Sequence, residues 1–199
     1  MLRRSSFKFW LVVGIVMISF ACVLYWLSSS GKRINTVLWK VNRGGSGSVA
    51  YSPDGQTIIA ECDYRLCFFD ADTGELLNIT NIMPVLLRGS TRPVYSHNGK
   101  WIAVPGLGSA VIIDSQTTET VRTFFHTPNE EFFSAHFNPD DTQLLTSDSR
   151  HQVAIWDLET GEKLISWETG ECSNDYDLGC LLSATFSPDG EQVVTTDQV

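Results

Sequence analysis

Hydrophobic and polar positions alternate in short runs along most of this chain, and one turn motif recurs between the runs. An aromatic residue precedes each copy of the motif, and an apolar pair such as Ile58-Ile59 or Leu144-Leu145 follows several of them. Proline and small polar residues inside the motif favour tight turns. Short apolar runs on both sides of such a turn predict a β-hairpin at every copy. The four copies are Tyr51-Ser52-Pro53-Asp54-Gly55, Tyr95-Ser96-His97-Asn98-Gly99, Phe137-Asn138-Pro139-Asp140-Asp141 and Phe186-Ser187-Pro188-Asp189-Gly190.

A second landmark, an apolar run that ends on aspartate, follows each of the first three turns. The aspartates are Asp70, Asp114 and Asp157, and they lie 18, 18 and 19 residues after the first polar residue of the turn. A polar turn and another short apolar run come next, as in residues 158–167. Successive turn motifs are 44, 42 and 49 residues apart, a period that indicates a repeat architecture. The pattern predicts four strands in each repeat.

Residues 35–199 resemble the WD40 repeat family, in which each unit of about 40 to 45 residues folds as one four-stranded propeller blade. Trp156-Asp157 matches the family's signature dipeptide, and Phe69-Asp70 and Ile113-Asp114 are degenerate versions of it. The resemblance implies an all-β fold of about three and a half WD40-type blades, which would form an incomplete ring. A second chain is therefore a candidate to complete the propeller.

WD40 blades often contain a buried hydrogen-bond network that joins a histidine, a turn aspartate, a hydroxyl group and the tryptophan. By this resemblance Asp63 takes the aspartate position in the first repeat, whereas Leu107 and Arg150 stand there in the second and third. His126 is the match to the family's histidine, although Phe125 replaces the glycine before it. The resemblance thus implies an incomplete network, so packing is expected to hold the blades together.

The first 34 residues differ in character from the repeats. Residues 1–8 form a basic tail, residues 9–27 contain no charged side chain, and residues 28–34 form a linker. An uncharged run of 19 residues is about the length that crosses the hydrocarbon core of a membrane. These features predict a single-pass transmembrane helix that acts as a signal anchor, with the repeat region on the extracytoplasmic side. A cleaved signal peptide is the alternative, because basic residues precede the apolar run and small residues follow it.

Cysteine positions add an expectation about disulfides. Cys172 and Cys180 lie in the longest insertion between repeats, and they are a candidate disulfide if the compartment is oxidising. Cys62 and Cys67 are expected either to face each other across a hairpin or to pack as small apolar residues. Free buried thiols are the alternative for both pairs.

Charge and motif content limit the functions that this chain can have. Three of the 14 basic residues and none of the 23 acidic residues lie in the first 27 positions, which leaves 11 basic against 23 acidic residues in the remainder. Such an acidic surface disfavours nucleic acid, whose phosphates bind Lys and Arg. The histidines lie outside any catalytic motif, and the cysteine spacing does not fit a structural zinc site. No catalytic, cofactor or metal-binding residue is predicted.

The WD40 resemblance implies a non-catalytic scaffold whose partners are other proteins, and residues 9–27 predict that it is tethered to a membrane. Loops on a rigid scaffold are where recognition concentrates, so residues 81–91 and 169–181 are the candidate contact surfaces. The alternative is that the chain is the propeller portion of a larger membrane-anchored enzyme or sensor, of the dipeptidyl-peptidase or TolB type.

Overall fold

A computed structural model describes residues 48–63, 65–80, 92–125, 131–169 and 181–197, and every regular element in these ranges is a β-strand. The strands form four antiparallel sheets, and within each sheet neighbouring strands follow one another along the chain. This arrangement confirms the all-β prediction. Sheet 1 comprises β1 (Val49–Tyr51), β2 (Thr57–Cys62), β3 (Arg65–Asp70) and β4 (Leu76–Thr80). Sheet 2 comprises β5 (Val94–Tyr95), β6 (Trp101–Pro105), β7 (Ser109–Asp114) and β8 (Thr120–Phe125). Sheet 3 comprises β9 (Phe132–Phe137), β10 (Gln143–Asp148), β11 (Gln152–Asp157) and β12 (Lys163–Glu168), and sheet 4 comprises β13 (Leu181–Phe186) and β14 (Val193–Asp197).

Several predicted features lie outside the described residues. These are the basic tail, the apolar segment and the linker at residues 1–34, together with His126, Cys172, Cys180, the whole candidate contact loop 81–91 and most of the loop 169–181. None of the described segments forms a helix with the length and hydropathy that crossing a membrane requires.

The recurring motif forms the turn between the first two strands of every sheet, as the sequence predicts. In sheet 1 the Thr57 N–H donates to Ser52 Oγ across the turn, at 2.9 Å. Asn138 replaces the serine in sheet 3, where its Oδ1 accepts from Gln143 N–H at 2.8 Å. A short polar side chain thus closes each hairpin from inside, and this bond fixes its register.

The second landmark ends the third strand of sheets 1, 2 and 3. Each aspartate accepts hydrogen bonds from a threonine three residues later, and for Asp70 both the Thr73 N–H and the Thr73 hydroxyl donate at 2.8 Å. The N–H of that threonine is the largest of the causes that lower the pKa of Asp70, Asp114 and Asp157. The carboxylates therefore stabilise the turns that lead into the fourth strands.

Successive sheets pack face to face through alternating apolar side chains. Sheets 1 and 2 share a buried cluster that includes Ile59 and Val111, and sheets 2 and 3 share one that includes Phe124 and Trp156. Leu145 of sheet 3 packs with Ala184 of sheet 4 in a smaller cluster. Because strand side chains alternate between two faces, each inner sheet can contribute to two clusters at once. This stacking in chain order is consistent with propeller-like blades.

A disulfide joins Cys62 and Cys67 on adjacent strands β2 and β3, with 6.0 Å between their Cα atoms. Cys67 pairs with Ala60 and Cys62 pairs with Arg65, so the two cysteines are diagonal neighbours on one face of sheet 1. Of the alternatives that the sequence leaves open, the structure has the two cysteines facing each other across the hairpin.

Candidate functional site

The first strands of sheets 2, 3 and 4 and the turns that follow them enclose a cavity of about 440 Å³, here called the first-strand cavity. This volume lies within the range of about 300 to 1,000 Å³ that small-molecule and side-chain pockets occupy. Its lining residues are Val94, Tyr95, His97, His136, Phe137, Pro139, Thr185, Phe186, Ser187 and Pro188.

The repeat places an aromatic wall around the cavity. Tyr95, Phe137 and Phe186 occupy the same position of their repeats, the last residue of the first strand. Each ring also packs against the preceding sheet, so the aromatic side chains are held by the core that they border. Pro139 and Pro188 follow in the turns and are exposed at the rim. The cavity is therefore mainly apolar, with walls that the fold keeps in place.

Two half-buried polar side chains face this apolar wall. Burial, with a smaller contribution from the Asp54 carboxylate, raises the pKa of Tyr95 to about 12. Burial, with a smaller contribution from the Arg92 guanidinium, lowers the pKa of His136 below its ordinary value of 6.5. At neutral pH the phenol is thus protonated and His136 is uncharged. Within the described part of the chain, neither side chain forms a hydrogen bond.

His97 lines the cavity at its rim and is anchored to the next repeat. The Asp141 carboxylate lies 3.0 Å from His97 Nδ1, and its oxygens accept at 2.8 Å from the N–H groups of His97 and Asn98. The Asp141 side chain is 4% exposed whereas that of His97 is 58% exposed. Since a carboxylate only accepts hydrogen bonds, Nδ1 of His97 carries a proton and its other ring nitrogen remains for contacts outside this pair.

The buried network around the tryptophan lies in sheet 3. Trp156 Nε1 donates to Thr146 Oγ1 at 2.8 Å, and the Trp156 ring packs on Phe124 with 5.3 Å between centroids. The buried Asp148 accepts from the N–H groups of Arg150 and Gln152 in the adjacent hairpin.

The turn aspartate of sheet 1 has a different environment. Asp63 is exposed at a positive φ of 50°, and its side chain forms no hydrogen bond with the described residues. The hairpin between β10 and β11 in sheet 3 has three residues between its strands, whereas the hairpin between β2 and β3 in sheet 1 has two. The position counted from the sequence therefore falls on Arg150, and the buried carboxylate of this hairpin is that of Asp148. Allowing the predicted position of the turn aspartate to vary by one or two residues would have identified Asp148.

The cavity brings two histidines, His97 and His136, together with aromatic side chains. Within the described ranges, no hydroxyl or thiol side chain bonds to the ring of His97 or His136, although a nucleophile activated by histidine needs such a contact. Nor do three or more potential metal ligands cluster in that part of the chain. Aromatic walls with a few uncharged polar groups are the usual composition of a recognition pocket.

The chain is similar to eukaryotic translation initiation factor 3 subunit I of Phaeosphaeria nodorum, with 27% identity over 114 residues. The match covers 56% of this chain and 32% of that protein, so the chain spans about a third of the length of the curated relative it matches. No protein-family model matches the chain. The similarity and the stacked antiparallel sheets together support a WD40-like β-propeller.

Proposed function

We propose that this chain is a membrane-tethered, WD40-type, non-catalytic scaffold, and that it binds a segment of a partner protein in the first-strand cavity. The observation that carries the proposal is the cavity itself, a mainly apolar pocket with two polar groups that no described residue satisfies. Tyr95 and His136 are half-buried, so a partner that enters the cavity can reach their polar atoms. The similarity to a subunit of a multisubunit initiation factor supports a role in protein interaction.

The stacked sheets suit this role because they make the cavity rigid. Ser134 Oγ accepts a hydrogen bond from Ala184 N–H at 3.2 Å, so a polar contact as well as apolar ones joins sheets 3 and 4, and within sheet 3 the same oxygen lies 2.6 Å from Ser147 Oγ. A site whose walls are fixed before binding loses less conformational entropy when a partner docks.

Blocking the cavity with a long side chain tests the proposal. Thr185 lines the cavity and is exposed, so Thr185→Arg should fill the pocket without disturbing the core. Thr120→Arg places the same group on the exposed β8 strand, outside the lining, and is the matched control. Crosslinking and mass spectrometry on the full chain should identify a protein that the wild type and Thr120→Arg bind and Thr185→Arg does not. Equal recovery with all three would overturn the cavity as the docking site.

The membrane tether rests on the uncharged residues 9–27. Deleting residues 1–27 should move the chain from the membrane fraction of expressing cells to the soluble fraction. A deleted chain that stays with the membrane would contradict the tether, because the tail and apolar run supply the proposed anchor.

The extracytoplasmic location is supported by the Cys62–Cys67 disulfide, since such bonds persist in oxidising compartments. Trypsin cuts after Arg65, between the two cysteines, so the oxidised protein should yield a linked pair of peptides. Cells are alkylated before lysis, and the digest is analysed without reduction. Recovery of separate, alkylated Cys62 and Cys67 peptides would place the repeats in a reducing compartment.

A further inference from the structure

The first-strand cavity offers hydrogen-bonding groups of a particular kind. The Tyr95 hydroxyl is a donor at every physiological pH, because its pKa is raised to about 12. The uncharged His136 ring adds one N–H donor from the neighbouring first strand. Neither donor has a partner among the described residues. Uncharged donors beside aromatic walls match a ligand that brings carbonyl oxygens and apolar bulk together.

Charge is arranged unevenly along the cavity. Asp140 and Asp189 follow Pro139 and Pro188 in the turns at the rim, and hydrogen bonds from Thr142 and Ser187 are the largest causes that lower the pKa of these two carboxyls. At neutral pH both are ionised. Arg92 precedes β5, at the strand end opposite the turn, and its charge acts on His136. A ligand that lies along the first strands therefore meets negative charge at the turn end and positive charge at the other.

A third carboxylate strengthens this asymmetry at the turn end. Asp54, in the turn of sheet 1, is the second cause after burial that raises the pKa of the Tyr95 phenol. The Asp54 side chain accepts from Ser52 Oγ at 2.5 Å, which fixes the carboxylate in its turn. A basic group on the ligand would be attracted to this end of the cavity and repelled by Arg92 at the other.

We propose that the first-strand cavity binds an extended, proline-containing segment of a partner protein, with a basic residue of that segment at the turn end. The inference rests on the proposed scaffold function, because it names the chemistry of the docking segment. Proline rings pack on aromatic side chains, and the preceding carbonyls of a polyproline II segment are free to accept hydrogen bonds. Tyr95 and His136 donate to such carbonyls, and the turn carboxylates bind the basic side chain.

Binding of synthetic peptides to the full chain tests this chemistry. One fluorescent peptide carries consecutive prolines followed by arginines; a second replaces the prolines with alanines, and a third replaces the arginines with glutamates. The first should bind, and each replacement should weaken binding at least tenfold. Tyr95→Phe removes one donor and should weaken binding of the first peptide about five- to tenfold. Tyr51→Phe is the matched control, because Tyr51 holds the equivalent position of sheet 1, outside the cavity lining, and should leave binding unchanged.

Two results would overturn the inference. The first is equal binding of the alanine or glutamate peptide, which would show that the cavity does not recognise proline or basic charge. The second is that none of the peptides binds, or that Tyr95→Phe has no more effect than Tyr51→Phe. The cavity as the docking site of the scaffold fails separately, when Thr185→Arg retains the same crosslinked partners as the wild type.

Discussion

Thr118 is the residue whose backbone conformation suits its side chain least. Its φ is 59°, whereas Gly74 and Gly161 occupy the equivalent turn positions of sheets 1 and 3 with φ of 73° and 79°. A left-handed conformation costs a residue with a Cβ about 1–2 kcal/mol. Glycine avoids this cost, but its larger unfolded-state entropy offsets part of the gain. Thr118→Gly should therefore raise the free energy of unfolding by about 0.5–1 kcal/mol. Urea denaturation measures this change.

The reverse substitution is the matched control for Thr118. Gly74→Thr introduces the same conflict in sheet 1 and should lower the free energy of unfolding. If Thr118→Gly were no more stable than the wild type, the left-handed conformation would cost threonine no more than the added unfolded-state entropy of glycine.

The Trp156–Thr146 hydrogen bond is a second prediction at this scale. Both residues are buried, so Thr146→Val keeps the volume and leaves the indole N–H without its acceptor. The free energy of unfolding should fall by about 1–3 kcal/mol, measured by chemical denaturation. Thr123→Val, on a half-buried position of β8, should change it by less than about 0.5 kcal/mol. An equal loss in the two variants would assign the effect to the hydroxyl-to-methyl exchange alone.

Individual buried polar residues were the hardest feature to predict from this sequence. The landmark aspartates follow at fixed offsets because each bonds within its own turn, so local spacing is enough to find them. Asp148 also bonds within its own hairpin, but this hairpin is longer than that of sheet 1, and Asp141 acts between repeats. The Asp141 contact joins residues 44 positions apart, a separation over which only the folded structure gives the partner.

At the scale of elements, neighbouring turns are matched to one another. A Cβ placed on Gly190 would lie 3.1 Å from Pro139 Cδ of the preceding repeat, so proline and glycine meet where two turns adjoin. Between sheets 2 and 3 the same two positions hold His97 and Asp141, and these two residues pair. His97 and Asp141, two of the four departures from the Ser-Pro-Asp-Gly motif, are therefore one compensated change.

This compensation predicts non-additive effects of mutation. His97→Pro removes an N–H donor from the buried Asp141 carboxylate and should be destabilising, whereas Asp141→Gly first removes the carboxylate that needs it. In the double variant the free energy of unfolding should exceed the additive expectation by about 1 kcal/mol, measured in a double-mutant cycle. Additivity within about 0.3 kcal/mol would show that the two turns do not depend on each other.

The elements themselves were predictable for a physical reason. Period-2 alternation and turn chemistry are local, so the hairpins and the three completed sheets follow from short windows of sequence. The cavity is not local, because Tyr95, His136 and Phe186 come from three repeats and meet only when the sheets stack. His136 lies outside any catalytic motif, and its place in the cavity became visible only in the fold.

At the scale of the whole molecule, the turn carboxylates and His136 should affect stability in two different pH ranges. The turn carboxylates have lowered pKa values, so the stability they contribute is present above about pH 4 and is lost below it. His136 is a base and not an acid, but its lowered pKa also makes the protein less stable as the pH falls. Its neutral form is favoured in the folded state, so unfolding takes up a proton once the pH falls below about 6.5.

The free energy of unfolding should therefore fall in a pH range where the turn carboxylates remain ionised. As the pH falls from about 7 through 6.5 toward the lower folded pKa of His136, the free energy of unfolding should decrease, because the unfolded chain takes up a proton that burial, and to a smaller extent Arg92, disfavours in the folded state. His136→Gln should flatten the curve in this window and leave the decline below about pH 4 in place. Denaturation at closely spaced pH values distinguishes the two. Parallel curves for the wild type and His136→Gln between pH 7 and 5 would contradict this prediction. The His136 ring would then have to be as well hydrated in the cavity as in the unfolded chain, and its burial would contribute nothing to the pH dependence.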